Sequence, residues 1–557
     1  MSELSVPNYR GFKYLEPLSD IVNLPIDQLN FVVTQLLGLI LAYILRKKLN
    51  PLKTSYNVRM AYCLIIGFVF LYYCFGNDCL HVVILCSISY IFIYLSPKVE
   101  RFHIFLSIFV FIYLSFIHFS RMTEKYHTYT LDITGPLMVM TQKLTNLAFS
   151  LHDGTCKLKY QQTPLIKKRA INRIPNILEY LSYCFHFQTL LTGPLCFYND
   201  YIEFINGKNF TKHIKTDEVT STTSELIRKS QNGSLKSDQN NDNNDQLDDK
   251  CTKNRYAHSD NANISKCNNN YTIESIYQIS ALKPCLTKFM TALALAYTLV
   301  IVRPLFPIEL NHNYSFIHNY SLFDRTVYLW ISNAMQRIKY YFAWTCADLV
   351  SNVSGLGFNG FVESSESNTN DEAITTNVRG KNKDPDNVPT SSTIGIRGTP
   401  RWDLISNIDI IGFETSISLH SALNNWNLST MAWLRHLVYE RVSYQRTLCV
   451  YLVSAMWHGF WPGYYITFVS GAIFTEAAKM NRRKYRKYFV SNKYIKWFYD
   501  VLTFFLTRIA IAYLSIPFVL LKHGPSLIVY SSMYYWPHVL AIISVLTFYI
   551  KPPKGKD

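Results

Sequence analysis

One histidine in an uncharged, apolar stretch could carry out proton transfer. His458 lies within "SAMWHGFWPGYY", residues 454–465, and from Thr447 to Thr475 the sequence contains no Lys, Arg, Asp or Glu. An imidazole buried away from water stays neutral, so it can act as a general base near neutral pH. An aromatic and polar segment with three closely spaced asparagines, "NNWN" ending at Asn427, precedes it. Ionisable residues inside a membrane are costly, which makes His458 a candidate functional residue.

His458 also has less specific interpretations. A histidine on an apolar helix can be a packed core residue or can form one hydrogen bond to a neighbouring helix. Ser454 precedes it by one helical turn, so a Ser–His nucleophile pair is conceivable, although no G-x-S-x-G motif accompanies this serine. The "WPG" at 461–463 predicts that the helix breaks or kinks just after His458. The neighbouring residues would provide aromatic walls and close backbone approach: Trp457, Gly459, Trp461, Pro462 and Gly463.

The elements that position these residues are predicted to be membrane helices. Of the 557 residues, 49% are hydrophobic and 15% aromatic, whereas only 17% are charged. Several runs approach the roughly 20 apolar residues that an α-helix needs to cross a bilayer, and unbroken runs favour helices over barrels. We therefore expect an all-α, polytopic helical membrane protein with roughly nine to eleven transmembrane helices. The runs are 29–45, 60–76, 79–97, 104–120, 180–199, 289–302, 447–475 and 525–550, with weaker candidates at 321–346 and 501–521.

Two polar segments interrupt this pattern. Residues 211–272 are rich in Ser, Thr, Asn, Asp and Lys and include "SDQNNDNNDQLDDK", and residues 363–398 have a similar composition. Both lack apolar periodicity, so they are predicted to be disordered inserts without a chemical role. The chain as a whole, residues 1–557, is interpreted as one membrane domain that contains these two inserts.

The net charge of +17 is concentrated at the ends of the apolar runs. "LRKKLN" begins at Leu45, and "NRRKYRKY" follows Met480. This distribution favours the positive-inside rule over nucleic-acid binding, although such loops could also attract anionic lipid or the phosphates of a nucleotide-bearing substrate. The twelve cysteines form no C-x-x-C pair, so we expect neither a zinc site nor a disulfide framework.

Six further segments follow one another along the chain at 131–154, 190–207, 342–361, 402–407, 424–442 and 454–474. Together they resemble the membrane-bound O-acyltransferase superfamily, in its lysophospholipid acyltransferase branch for lysophosphatidylethanolamine, lysophosphatidylserine and lysophosphatidylcholine. The family motifs place an essential asparagine after the tryptophan of "WN" and an essential histidine in "WHG", which match Asn427 and His458. The resemblance implies helices around an internal tunnel in the endoplasmic-reticulum membrane.

The resemblance also implies the reaction and its partners. Acyl-CoA would reach the tunnel from the cytosol as a co-substrate, and a lysophospholipid would enter from the lipid bilayer to be acylated on its free glycerol hydroxyl, as in phospholipid remodelling by the Lands cycle. His458 would accept the hydroxyl proton. Asn427 would either orient the imidazole or donate to the thioester carbonyl, and both roles remain open. We expect no metal, no redox cofactor and no nucleic-acid partner.

Further residues could contact the substrates. Trp426, Trp433, Trp457 and Trp461 are candidates for lining the acyl tunnel, and interfacial anchoring or helix packing is the alternative for each. Arg441 and Arg435 could pair with a substrate phosphate, or they could be solvated at the surface. Asp153 in "HDG" is interpreted as a structural cap.

Other functions share some of these residues. A protein, sterol or diacylglycerol O-acyltransferase would also contain the histidine, and segments 131–207 and 402–442 favour the lysophospholipid branch. A transporter or channel could use His458 and Asn427 as polar pore-lining groups, but it leaves the paired "WN" and "WHG" motifs unexplained.

Overall fold

Helices make up nearly all of the regular structure, as the unbroken apolar runs predict. The computed structural model describes residues 9–22, 24–96, 99, 101–124, 131–155, 163–212, 270–271, 279–362, 394–395 and 399–550. The predicted all-α, polytopic fold class is therefore confirmed. Most of the predicted polar inserts 211–272 and 363–398 lies outside the described residues, so their disorder stays a prediction.

The helices before the first insert alternate long apolar segments with short connecting helices. They are α1 (Glu16–Val22), α2 (Ile26–Lys47), α3 (Tyr56–Phe75), α4 (Cys79–Leu95), α5 (Phe102–Glu124), α6 (Thr134–Thr155), α7 (Pro164–Arg169), α8 (Ile177–Phe185), α9 (Tyr198–Ile205) and α10 (Lys208–Thr211). A 3₁₀ turn at Gly76–Asp78 joins α3 to α4.

The helices after the first insert carry the candidate site. They are α11 (Leu282–Tyr297), α12 (Tyr314–Asn319), α13 (Leu322–Ser354), α14 (Ile410–Glu414), α15 (Leu419–Asn424), α16 (Leu428–Leu434), α17 (Arg446–His458), α18 (Pro462–Phe489), α19 (Lys493–Leu520), α20 (His523–Ser532) and α21 (Trp536–Ile550). A π-helical segment (Thr298–Val302) and two 3₁₀ turns (Arg303–Leu305 and Ile308–His312) follow α11, and a second π-helical segment (Arg435–Tyr439) follows α16.

The strands of the described chain are two residues long. β1 (Asn270–Tyr271) pairs antiparallel with β3 (Ile394–Gly395), so that Asn270 faces Gly395. β2 (Phe361–Val362) pairs in the same way with β4 (Thr399–Pro400), and Phe361 faces Pro400.

Five helical segments of the described chain are long and apolar enough to cross a membrane: Ile26–Lys47, Tyr56–Leu95, Phe102–Thr123, Leu282–His312 and Lys493–Leu520. A sixth results if His523–Ser532 and Trp536–Thr547, which meet at 79°, form one broken span. The predicted run 447–475 is not one helix, because α17 ends at His458 and α18 begins at Pro462, as the "WPG" predicts. The count of roughly nine to eleven spans stays a prediction.

Helix α6 lies at the centre of the helical packing. It contacts α4, α5 and α8, and most of its side chains are buried, including polar ones such as Gln142, Lys143, Asn146 and Asp153. Buried polar groups need partners, and the Lys143 ammonium donates to the carbonyls of Tyr183 and Cys184 at 3.1 and 3.0 Å, at the C-terminal end of α8. Other polar groups of α6 find their partners on α16 and in the segment that follows it, as Gln142 does at Thr430 and Asn146 at His436.

Candidate active site

His458 lies at a sharp break between two helices. It is the last residue of α17, and Gly459 follows with φ 117° and ψ −160°, a conformation that residues with a Cβ atom rarely adopt. Pro462 then occupies the first position of α18, where its missing N–H has no cost. The break therefore places His458 at a helix end, where an irregular backbone separates it from the next helix.

Aromatic rings surround the His458 imidazole. The Phe468 ring stacks on it with centroids 5.3 Å apart, and the Trp457 and Phe518 rings meet it edge-on at 4.6 and 4.9 Å. The side chain is nevertheless partly accessible, and neither ring nitrogen hydrogen-bonds to any described residue. Ser454 is buried, and it forms no hydrogen bond to His458 within the described ranges, which leaves the Ser–His pair unsupported.

A second histidine supports the break from behind. The Nε2 atom of His118, on α5, lies 3.1 Å from the carbonyl oxygen of Trp457, the residue before His458. A Cβ atom built on Gly459 would lie 3.1 Å from the His118 ring, so only glycine allows this approach without a shift. His118 was not predicted, because a histidine in the apolar run 104–120 has no local signal of its distant partner.

Asn427 stands at the start of α16 in a left-handed conformation, with φ 48° and ψ 54°. Asparagine tolerates this conformation better than most residues, and unusual backbone conformations are concentrated at functional sites. Its side chain is partly accessible, and its Oδ1 accepts a hydrogen bond from Nδ2 of Asn407 at 3.0 Å. The donor end of the Asn427 amide has no partner among the described residues.

Asn407, the last residue of "WDLISN", ties this loop to the rest of the molecule. Its Oδ1 accepts the N–H of Ser429 at 2.9 Å, and its carbonyl accepts the N–H of Leu428 at 2.8 Å. The preceding residue, Ser406, donates to Asp348 at 2.6 Å. The sequence placed Asn407 in a family-like segment without giving it a role.

Trp426 packs over a cluster of buried charges. Its ring contacts those of Phe413 at 5.1 Å and Trp344 at 5.2 Å. The Phe413 ring lies between two guanidinium groups, each 5.4 Å from its centroid, which belong to Arg337 and Arg508. Both arginines donate to Glu414, at 2.7 and 3.2 Å.

Hydrogen bonds to α6 hold the helices on which the site is built. The indole N–H of Trp457 donates to the Met138 carbonyl at 2.9 Å, and that of Trp433 donates to the Thr145 hydroxyl at 2.9 Å. The two indole rings contact each other with centroids 5.7 Å apart. Through this contact, the helix that begins after Asn427 packs against the helix that ends at His458. Trp433 and Trp457 thus have packing roles here, and substrate contact stays a prediction for both.

Arg441 lies in a buried polar network at the other end of α6. It pairs with Asp153 at 2.6 Å, and Asp153 also faces His436 at 3.1 Å. The other ring nitrogen of His436 lies 2.8 Å from Asn146 Oδ1. Burial acts to raise the pKa of Asp153, but contacts with His152, His436 and Arg441 lower it below its usual value, so the carboxylate is anionic. Asp153 is therefore a charge partner rather than a helix cap.

The remaining predicted residues lie nearer the surface. Trp461 precedes Pro462 at the start of α18 and is partly accessible. Arg435 is mostly exposed and pairs with Glu440 at 2.8 Å, which is the solvated role left open by the sequence. Substrate contact by Trp426, Trp461 and Arg441 stays a prediction. In the part of the chain that the structure describes, no group of three or more His, Cys, Asp and Glu side chains could hold a metal ion.

Comparisons with known proteins give the arrangement a context. Residues 119–230 and 251–516 match the model of the membrane-bound O-acyltransferase family. The chain is 35% identical over 546 residues to lysophospholipid acyltransferase 6 of Drosophila melanogaster, covering 98% of this chain and 64% of that protein. It is 35% identical over 542 residues to human membrane-bound glycerophospholipid O-acyltransferase 2, covering 97% of this chain and 88% of the relative. Human membrane-bound glycerophospholipid O-acyltransferase 1 is 32% identical over 543 residues, with 97% and 93% covered.

Proposed function

This chain belongs to the membrane-bound O-acyltransferase family, and we propose that it is an acyl-CoA-dependent lysophospholipid O-acyltransferase of phospholipid remodelling. It transfers a fatty acyl group to the free glycerol hydroxyl of a lysophospholipid. Two of its relatives are named as glycerophospholipid O-acyltransferases and one as a lysophospholipid acyltransferase, which favours this substrate class over proteins and sterols.

His458 is the general base of this reaction. Its ring nitrogen accepts the proton of the glycerol hydroxyl as the oxygen attacks the thioester carbonyl, and general-base assistance of this kind contributes about 100- to 10,000-fold. The new ester C–O bond forms, the C–S bond breaks, and the thiolate of coenzyme A takes the proton from the imidazolium. Aromatic walls exclude water, which would otherwise hydrolyse the thioester.

The observation that carries this proposal is the state of the His458 imidazole. It is partly accessible and enclosed by rings, and both of its nitrogens lack a partner among the described residues. His118 and His436 each have a hydrogen-bond partner, as most buried polar groups do. The alternative role of His458 in packing is therefore less well supported.

The substrates and the compartment follow from the same proposal. The lysophospholipid enters from the bilayer and acyl-CoA from the cytosolic side, in the endoplasmic-reticulum membrane. Trp426, Trp461 and Arg441 remain candidates for substrate contact, and no further cofactor is required.

The test is acyl transfer from labelled oleoyl-CoA in microsomes that contain this chain, with a panel of lysolipids that differ in head group. We expect label in one or more phospholipids and none above background with His458→Ala. His523→Ala is the matched control, because His523 is exposed at the start of α20. Equal activity of His458→Ala at equal abundance would rule out the mechanism. Label in a peptide, sterol or diacylglycerol alone would change the substrate class, and solute flux without an acyl product would favour a transporter.

A further inference from the structure

We propose that Asn407 is a positioning residue that fixes the orientation of the Asn427 amide, so that its NH₂ group, and not its oxygen, faces the reacting acyl group. The inference rests on the proposed acyl transfer. It decides between the two roles that the sequence left open for Asn427.

One backbone group beside Asn407 has unambiguous hydrogen-bond chemistry. The N–H of Ser429 can only donate, and it lies 2.9 Å from one terminal atom of the Asn407 side chain. That atom must accept, so it is the Asn407 oxygen. The amide of Asn407 is therefore fixed by the main chain, and its NH₂ group must be the end that faces Asn427. The side chain is buried, with 2% of its surface exposed, which leaves it little freedom to rotate.

The orientation of the Asn407 amide determines that of the Asn427 amide. The NH₂ group of Asn407 donates to the Asn427 side chain across 3.0 Å, so the Asn427 atom in this contact must be its oxygen. The NH₂ group of Asn427 consequently points to the other side, where no described residue accepts from it. A chain of two hydrogen bonds thus runs from the Ser429 N–H to the free donor of Asn427.

The orientation determines what Asn427 can do. Its oxygen is held on the side of Asn407, so the group that Asn427 presents to the other side is its NH₂, which cannot accept an N–H of His458. A free NH₂ group matches an oxygen that gains negative charge, which in acyl transfer is the thioester carbonyl oxygen. The left-handed backbone of Asn427, with φ 48°, holds the side chain in this place. Asn427 therefore stabilises the oxyanion, and Asn407 acts through it.

The first variant is Asn427→Asp, which retains an oxygen for the Asn407 donor and replaces only the free NH₂ group. We expect kcat to fall about 100-fold or more with little change in KM for the lysolipid, as for the loss of one oxyanion donor. If kcat in the lysolipid assay is unchanged at pH 7.5, Asn427 does not act as a donor and the inference is wrong.

The second variant is Asn407→Asp, which keeps the acceptor for Ser429 but removes the donor toward Asn427. The introduced carboxylate would attract the NH₂ group of Asn427 and turn the amide around. We expect kcat to fall about 10- to 100-fold, in the range of a misplaced catalytic group. The ratio of variant to wild-type kcat should rise as the pH is lowered, because a protonated carboxyl group can again donate to Asn427.

The controls separate orientation from folding. Asn209→Asp is matched, since Asn209 is also buried and donates to a carbonyl, that of Gly355 at 3.1 Å, in a contact that involves neither Asn407 nor Asn427. It should show no selective loss of kcat and no recovery at low pH. If Asn407→Asp does not accumulate, Asn407→Ala removes both side-chain bonds without adding a charge, and wild-type kcat in that variant overturns the inference. A wild-type chain that acylates no lysolipid refutes the proposed function instead.

Discussion

His458 is held by aromatic contacts rather than by hydrogen bonds. Phe468 and Phe518 restrict the ring, while no carboxylate of the described chain orients either nitrogen. In the proposed reaction, the substrate hydroxyl would therefore be the first hydrogen-bond partner of this imidazole. Catalytic hydrogen bonds commonly become short only in the complex with substrate, so this arrangement suits a base that is completed by its substrate.

Gly459 provides a test at the scale of one residue. Gly459→Ala introduces a Cβ atom at φ 117° and 3.1 Å from the His118 ring, so strain and a displaced His458 are expected. Such backbone strain costs about 1–3 kcal/mol, and kcat should fall more than protein abundance. The matched control is Gly524→Ala, because nothing lies within 4 Å of its added Cβ. Turnover equal to the wild type would show that His118 and Gly459 do not fix the site.

The predicted site residues differ from the unpredicted ones in the distance along the chain to the residues that identify them. Asn427 and His458 stand in short motifs, where a few neighbouring residue types are informative. Asn407 and His118 act through contacts with distant segments, and His118 lies 339 residues before its partner Trp457. The periodicity of one segment contains no information on which remote segment supplies a polar partner.

Among the helices, the features that could be predicted are those that depend on residues adjacent in the sequence. Run length predicted helices, and Pro462 predicted the break after α17. The central position of α6 was not predictable from the sequence. Its polar side chains form only a weakly amphipathic pattern, and that pattern does not identify their partners. Only the packed structure shows that Gln142, Thr145 and Asn146 face the site helices.

The contact between α13, α14 and α19 depends on one acidic residue. Glu414 neutralises Arg337 and Arg508, whose side chains are 8% and 1% exposed. Glu414→Gln leaves two buried guanidinium groups without a counter-charge. We expect a loss of about 3 kcal/mol in the free energy of unfolding, at the low end for a broken buried pair because Glu414 is itself partly accessible. A lower midpoint of thermal unfolding in detergent would report it.

Glu440→Gln is the control for this prediction. Its partner Arg435 is 64% exposed, and exposed pairs contribute less than about 1 kcal/mol. Equal shifts for the two glutamine variants would contradict the importance of the buried cluster.

At the scale of the whole molecule, the basic turn between α18 and α19 predicts the orientation in the membrane. Arg483, Lys487, Lys493 and Lys496 are exposed there, and Trp497 is 67% exposed beside them. Basic residues at span ends favour the cytosolic side, and tryptophan favours the interface. With the chain in the endoplasmic-reticulum membrane, as proposed, an epitope inserted after Ser491 should therefore react with antibody when only the plasma membrane is permeabilised. A reaction that requires a permeabilised endoplasmic reticulum would reverse the orientation, and a known lumenal protein serves as the control.

The polar side of α6 has a consequence for the making of the protein. Gln142 and its acceptor Thr430 are 288 residues apart, so α6 is complete long before the segment that satisfies it. At about 5–20 residues per second, the ribosome needs about 15–60 s to synthesise that interval. During this time, Gln142, Asn146 and Asp153 lack their final partners and require water, the translocon or a chaperone. A nascent chain that stops before α16 exposes these groups permanently, which marks it for recognition by quality control.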